Sequence, residues 1–130
     1  MKRNLLLCCA LTVCLLTSAQ NMTRTRNGMK IDIPSSGICE EVIVYSPGII
    51  RVVKYPSSLK EMPAKKSYSV IMQPEKCAAD YSEKDGTATL STANITVRVD
   101  EPSGCISFFS HQGEPLLKEK EAAGTDNCSV

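Results

Sequence analysis

An antiparallel β-sandwich of about eight to nine short strands is the fold class this sequence predicts, an all-β reading that rests on three observations. From Asn94 to Asp100, apolar Ile95, Val97 and Val99 alternate with polar Thr96, Arg98 and Asp100, a two-residue period that gives a strand one dry and one wet face. Short runs of this kind recur along the chain, punctuated by Pro- and Gly-containing turns. No segment of a dozen residues carries the apolar stripe of a helix.

Taken in order, the chain opens with Lys2 and Arg3, an apolar run from Leu5 to Leu16, and small residues before Gln20. Residues 1–19 therefore read as a secretory signal peptide, cleaved near Ala19 and predicting export to a periplasmic or extracellular space. The run is too short for a membrane span, which takes about 20 residues. Plain secretion is favoured over lipid anchoring, because bulky residues precede Cys8, Cys9 and Cys14. Residues 20–27 are polar without periodicity and read as a flexible leader; the sandwich domain is expected over 28–123 and a tail over 124–130.

Within the domain, Gly28–Ile33 alternates with Met29, Ile31 and Ile33 on one face, and Pro34 to Gly37 ends it. Glu41–Tyr45 and Ile49–Tyr55 flank the turn tripeptide Ser46-Pro47-Gly48 and form a hairpin. Arg51 shares a face with Ile49, Val53 and Tyr55, the position of a snorkelling or ion-paired arginine on a sheet rim. Residues 56–66 read as a loop, Ser67–Gln73 as a further strand, and a short strand is expected around Tyr81. Gly86–Glu119 then forms a meander of about four strands, turning at Ser91–Asn94, Asp100–Gly104 and His111–Glu114.

Loss of the signal peptide leaves about 110 residues, enough for one domain with a modest core. Losing Lys2 and Arg3 brings the 15 basic residues near balance with the 14 acidic ones, and no basic excess points to a nucleic-acid partner. Trp is absent, so any aromatic sugar platform uses Tyr, such as Tyr55 or Tyr68. Cys39, Cys77, Cys105 and Cys128 remain after cleavage; four cysteines allow three pairings, and free thiols are favoured over a disulfide framework. Their wide spacing and a lone His111 suggest no metal site, and no cofactor motif is present.

No catalytic residue is assigned. Glycosidic cleavage takes two carboxyl groups about 5–9.5 Å apart. The carboxylates here fall mostly in turns or charged loops, with Asp100 and Glu101 opening a strand-joining turn where Asp serves the backbone. His111 sits between Ser110 and Gln112 in a hairpin loop, an exposed place with little to orient it as a base.

The order of segments resembles the N-terminal domain of glycoside hydrolase family 31, which includes α-glucosidases and α-xylosidases. The residues that carry the resemblance are Ile50-Arg51-Val52 within the hairpin, Ser67 to Val70, Leu90-Ser91-Thr92, Val97-Arg98-Val99-Asp100, Gly104 with Ile106-Ser107-Phe108, and Gly113 to Leu117. They span roughly Gly28 to Ala123. The resemblance implies a galactose-mutarotase-like sandwich. It implies as partner a (β/α)₈ catalytic barrel, which supplies an aspartate nucleophile and an aspartate acid/base and to whose pocket rim the sandwich lends a loop. No Asp here lies in a barrel motif, so the expected role is that of a non-catalytic accessory domain of an exported α-glycosidase. The alternative is a stand-alone exported carbohydrate-binding or adhesive sandwich that takes a glycan.

Overall fold

The computed structural model describes residues 21–63 and 71–120. Nine strands run in order: β1 (Met22–Thr25), β2 (Gly28–Ile33), β3 (Ile38–Ser46), β4 (Ile49–Pro56), β5 (Asp80–Lys84), β6 (Thr87–Ser91), β7 (Ile95–Asp100), β8 (Cys105–Ser110) and β9 (Pro115–Lys118). They form two antiparallel meanders, a four-stranded sheet β1-β2-β3-β4 and a five-stranded sheet β5-β6-β7-β8-β9, packed face to face. No helix occurs among the described residues.

The alternation read from the sequence is the packing pattern. Met29, Ile31 and Ile33 of β2 face Ala88 and Leu90 of β6, Val97 and Val99 of β7, and Ile106 of β8 across the interior, joined by Val42 and Val44 of β3. Each such side chain contributes roughly 1.5–3 kcal/mol when fully withdrawn from water. Neighbouring strands pair with side chains in phase, so Met29 stands opposite Val42 and Val42 opposite Val52. Close approach of β2 and β3 depends on Gly28, where an added Cβ would lie 1.8 Å from the Val42 carbonyl oxygen.

Three elements differ from the sequence reading. Residues 22–25 are not a free leader: Met22–Thr25 is an edge strand paired with β2, in register from Met22 opposite Ile31 to Thr25 opposite Gly28. Arg24 follows Met22 on the inward face, opposite Met29, and this charge breaks the apolar period. Residues 71–73 carry no strand, while 67–70 lie outside the described residues, as do 1–19 and 124–130. The hairpin strand β3 begins at Ile38 rather than Glu41 and carries a bulge at Tyr45, between the Val44–Ile50 and Ser46–Ile49 pairs. The carbonyl that the bulge frees from the ladder accepts from the Glu75 N–H at 3.1 Å.

Polar ties stitch the two sheets at their ends. Thr92 Oγ1 donates to the Pro47 carbonyl at 2.6 Å and accepts from the Ile95 N–H at 3.0 Å, fixing the β6–β7 turn against the β3–β4 turn. Ser35 Oγ donates to the Pro102 carbonyl at 2.7 Å. Arg24 of β1 stacks on the Tyr81 ring of β5, 4.7 Å from its centre.

Candidate functional site

Three groups of polar side chains stand out, and each is placed by strand register. The first lies inside one end of the sandwich. Glu40 is in phase with Val42 and Val44, and Lys54 with Val52 and Ile50, so both point inward from adjacent strands where apolar residues are the rule. Lys54 Nζ lies 2.9 Å from Glu40 Oε1 and 2.8 Å from Glu119 Oε2, and donates to the Gly104 carbonyl at 3.1 Å. Glu119 Oε2 also accepts from the Ile106 N–H. Glu40 is 1 % exposed, and its Oε2 has no partner among the described residues. Burial pushes the Glu40 carboxyl up, with the charge of Glu119 adding and Lys54 opposing. Burial works against the Lys54 charge, but the two carboxylates outweigh it and hold the ammonium above its ordinary range.

The second group is Glu83, Glu101 and Asn21. The Asn21 backbone N–H donates to Glu83 Oε1 at 3.1 Å, and its side-chain amide donates to Glu101 Oε2 at 3.2 Å. Burial raises the Glu101 pKa, Asn21 offsets part of that, and the charge and hydrogen bonding of Glu83 raise it further. Asn21 thus bridges the two carboxyl groups, while Glu83 Oε2 and Glu101 Oε1 have no partner among the described residues. Glu40 and Glu119, for their part, spend oxygens on the same ammonium. Neither pair is open to a substrate, with Glu40 1 % and Glu101 5 % exposed.

The third group lies on the outer face of the five-stranded sheet. Arg98 stands opposite Ser107 and Ser107 opposite Lys118, one row across β7, β8 and β9. The Arg98 guanidinium lies over the Phe109 ring at 4.5 Å. A trough of about 410 Å³ opens here.

The residues weighed from the sequence are scattered. Asp100 Oδ2 accepts from the backbone N–H and hydroxyl of Ser103, the turn bonding expected of it. Glu101, its neighbour in that turn, is 5 % exposed rather than solvated. His111 is exposed in the β8–β9 turn, with no side-chain partner among the described residues. Arg51 Nη1 donates to the Tyr45 hydroxyl at 3.2 Å, an outer-face contact rather than an ion pair. Tyr55 is no open platform: it is 3 % exposed, and burial, with Cys39 hydrogen-bonded beside it, pushes its hydroxyl pKa well up. Tyr68 and Cys128 lie outside the described residues; Cys39, Cys77 and Cys105 are free thiols. Among the described residues no three His, Cys, Asp or Glu side chains gather closely enough to hold a metal ion.

The nine-stranded sandwich has a counterpart among solved structures. The crystal structure of the GH31 (glycoside hydrolase family 31) α-xylosidase from Xanthomonas citri superposes with a TM-score of 0.66 at 22 % identity, over 75 % of this chain and 11 % of that one. The likeness establishes the fold. No family model and no curated protein matches the chain. The matched region is a small part of a much longer enzyme, and its fold is a two-sheet all-β sandwich.

Proposed function

We propose that this sandwich is a non-catalytic N-terminal accessory domain of an exported α-glycosidase, of the galactose-mutarotase-like type, packing against a (β/α)₈ catalytic barrel and contributing to the rim of its pocket. The single observation that carries the reading is the structural match to an α-xylosidase over a segment that makes up 11 % of that enzyme. The ordered motifs from Ile50 to Leu117 support it independently. So does the burial of the carboxylates: Glu40 is paired with Lys54 and Glu101 is bonded to Asn21.

Exposed apolar side chains support the same reading. Leu116 and Leu117 are 58 % and 62 % exposed on the edge strand β9, and Ile71 is 89 % exposed. Large apolar side chains on a sheet edge mark a place where another surface is received. An environment-sensitive apolar dye is expected to bind the purified chain, with the signal at least halved by the double substitution Leu116→Ser, Leu117→Ser. Dye-negative, strictly monomeric behaviour at high protein concentration would contradict the reading.

A further inference from the structure

We propose that the outer face of the five-stranded sheet binds a sugar acid, its carboxylate held between Arg98 and Lys118. The register of three strands places these two cations on one face with the Ser107 hydroxyl between them. Their backbones are two strand spacings apart, about 10 Å, a gap that long basic side chains close around a single carboxylate. The Arg98 guanidinium is stacked on Phe109, which fixes its plane and leaves its edge free to donate. A planar fork of that kind meets a carboxylate through two parallel hydrogen bonds.

The charge of the trough favours an anion more than its composition suggests. Two acids line it, Asp100 and Glu119. Asp100 accepts from Ser103 and keeps its charge, whereas Glu119 Oε2 is offset by Lys54 and also bonded to the Ile106 N–H. Arg98 and Lys118 pair with no carboxylate among the described residues. Arg98, Lys118 and Lys120 thus outnumber the two acids, in a concavity whose volume of about 410 Å³ falls within the range of small-ligand sites. The hydroxyls of Thr87 and Ser107 on the same wall select among anions, since they complement a ligand that carries hydroxyl groups beside its carboxylate. A bare anion leaves those hydroxyls to water, and a neutral sugar leaves the cations unpaired. Binding here needs no catalytic partner, so this proposal and the accessory-domain reading stand or fall separately.

The test is an amide-resolved NMR titration of the full chain with D-glucuronate, its methyl ester and acetate. Saturable shifts are expected at Ser107, Phe109 and Lys118 with glucuronate, with affinity at least tenfold weaker for the ester and for acetate. Arg98→Lys keeps the charge but loses the fork, and is expected to weaken glucuronate at least tenfold. Lys118→Ala, on an exposed edge strand, carries the same expectation with no burden on the core should Arg98→Lys disturb packing on Phe109. Absence of saturable shifts with glucuronate would overturn the proposal, as would equal affinity for the ester or unchanged affinity in a folded variant. Acetate binding as tightly as glucuronate would overturn the sugar assignment and leave an anion patch.

Discussion

Lys54 and Glu40 stand opposite each other on neighbouring strands of one sheet and meet at 2.9 Å in the interior, where the Gly104 turn of the other sheet closes over them. Two charges taken out of water this far are costly, and each is tolerable only because the other is present. Replacing Lys54 by Met should therefore destabilise the domain by about 3–5 kcal/mol in chemical denaturation, since Glu40 is left buried and unpaired. The double variant Glu40→Leu, Lys54→Met should recover most of that loss, because an apolar pair of similar volume carries no desolvation cost. A single-variant loss below the scatter of the measurement would show that the pair is not held as described.

Gly104 permits that closure. Its φ of +68° lies in the left-handed region, and an added Cβ would come within 3.1 Å of Glu40 Oε1 and 3.3 Å of Ile33. Gly104→Ala is expected to cost about 1–3 kcal/mol from backbone strain, and more from crowding at Glu40. Gly113, also left-handed at φ +86°, has nothing within 4 Å of its Cβ position, so Gly113→Ala should lose only the strain component. Comparing the two variants by thermal melts separates the two effects; equal losses would contradict the contact with Glu40.

Stability should depend on pH in the direction opposite to ordinary acid unfolding. Glu40 and Glu101 both have pKa values raised in the folded state above the ordinary 4.5. Between the unfolded and folded values the native state binds more protons than the unfolded chain, so stability falls as pH rises through that window. The contribution is fully present below the unfolded pKa and gone above the folded one. Glu101→Gln removes that titration and should flatten the slope above pH 4.5 measured by urea unfolding. A slope unchanged by that substitution would show that Glu101 is not the group responsible.

Much of the core was legible because its residues obey the strand period in runs bounded by strong turns. Ile95 to Asp100 and Gly28 to Ile33 needed nothing more than counting. The buried ion pair was not found, although its signal was there: continuing the alternation of Val44 and Val42 back two residues lands on Glu40, and continuing Ile50 and Val52 forward lands on Lys54. A charge in phase with a core stripe reads as the end of the strand unless a second charge on the next strand is matched to it, and that match requires register. The same holds for Arg98, Ser107 and Lys118, which are far apart in sequence and share a row only once β7, β8 and β9 are aligned. Strand β1 is not legible because its inward face carries one apolar residue, Met22, followed by the charged Arg24. Motif order, by contrast, pointed to an α-glycosidase sandwich, and the structural match to an α-xylosidase agrees at the level of the fold.

The accessory-domain account is tested most directly by incubating the purified chain with aryl α-glucosides and aryl α-xylosides and following release of the aryl group. No turnover above the uncatalysed rate is expected at any pH, because Glu40 and Glu101 are buried away from substrate and His111 stands alone in a turn. Clear turnover that a single carboxylate substitution abolishes would contradict it.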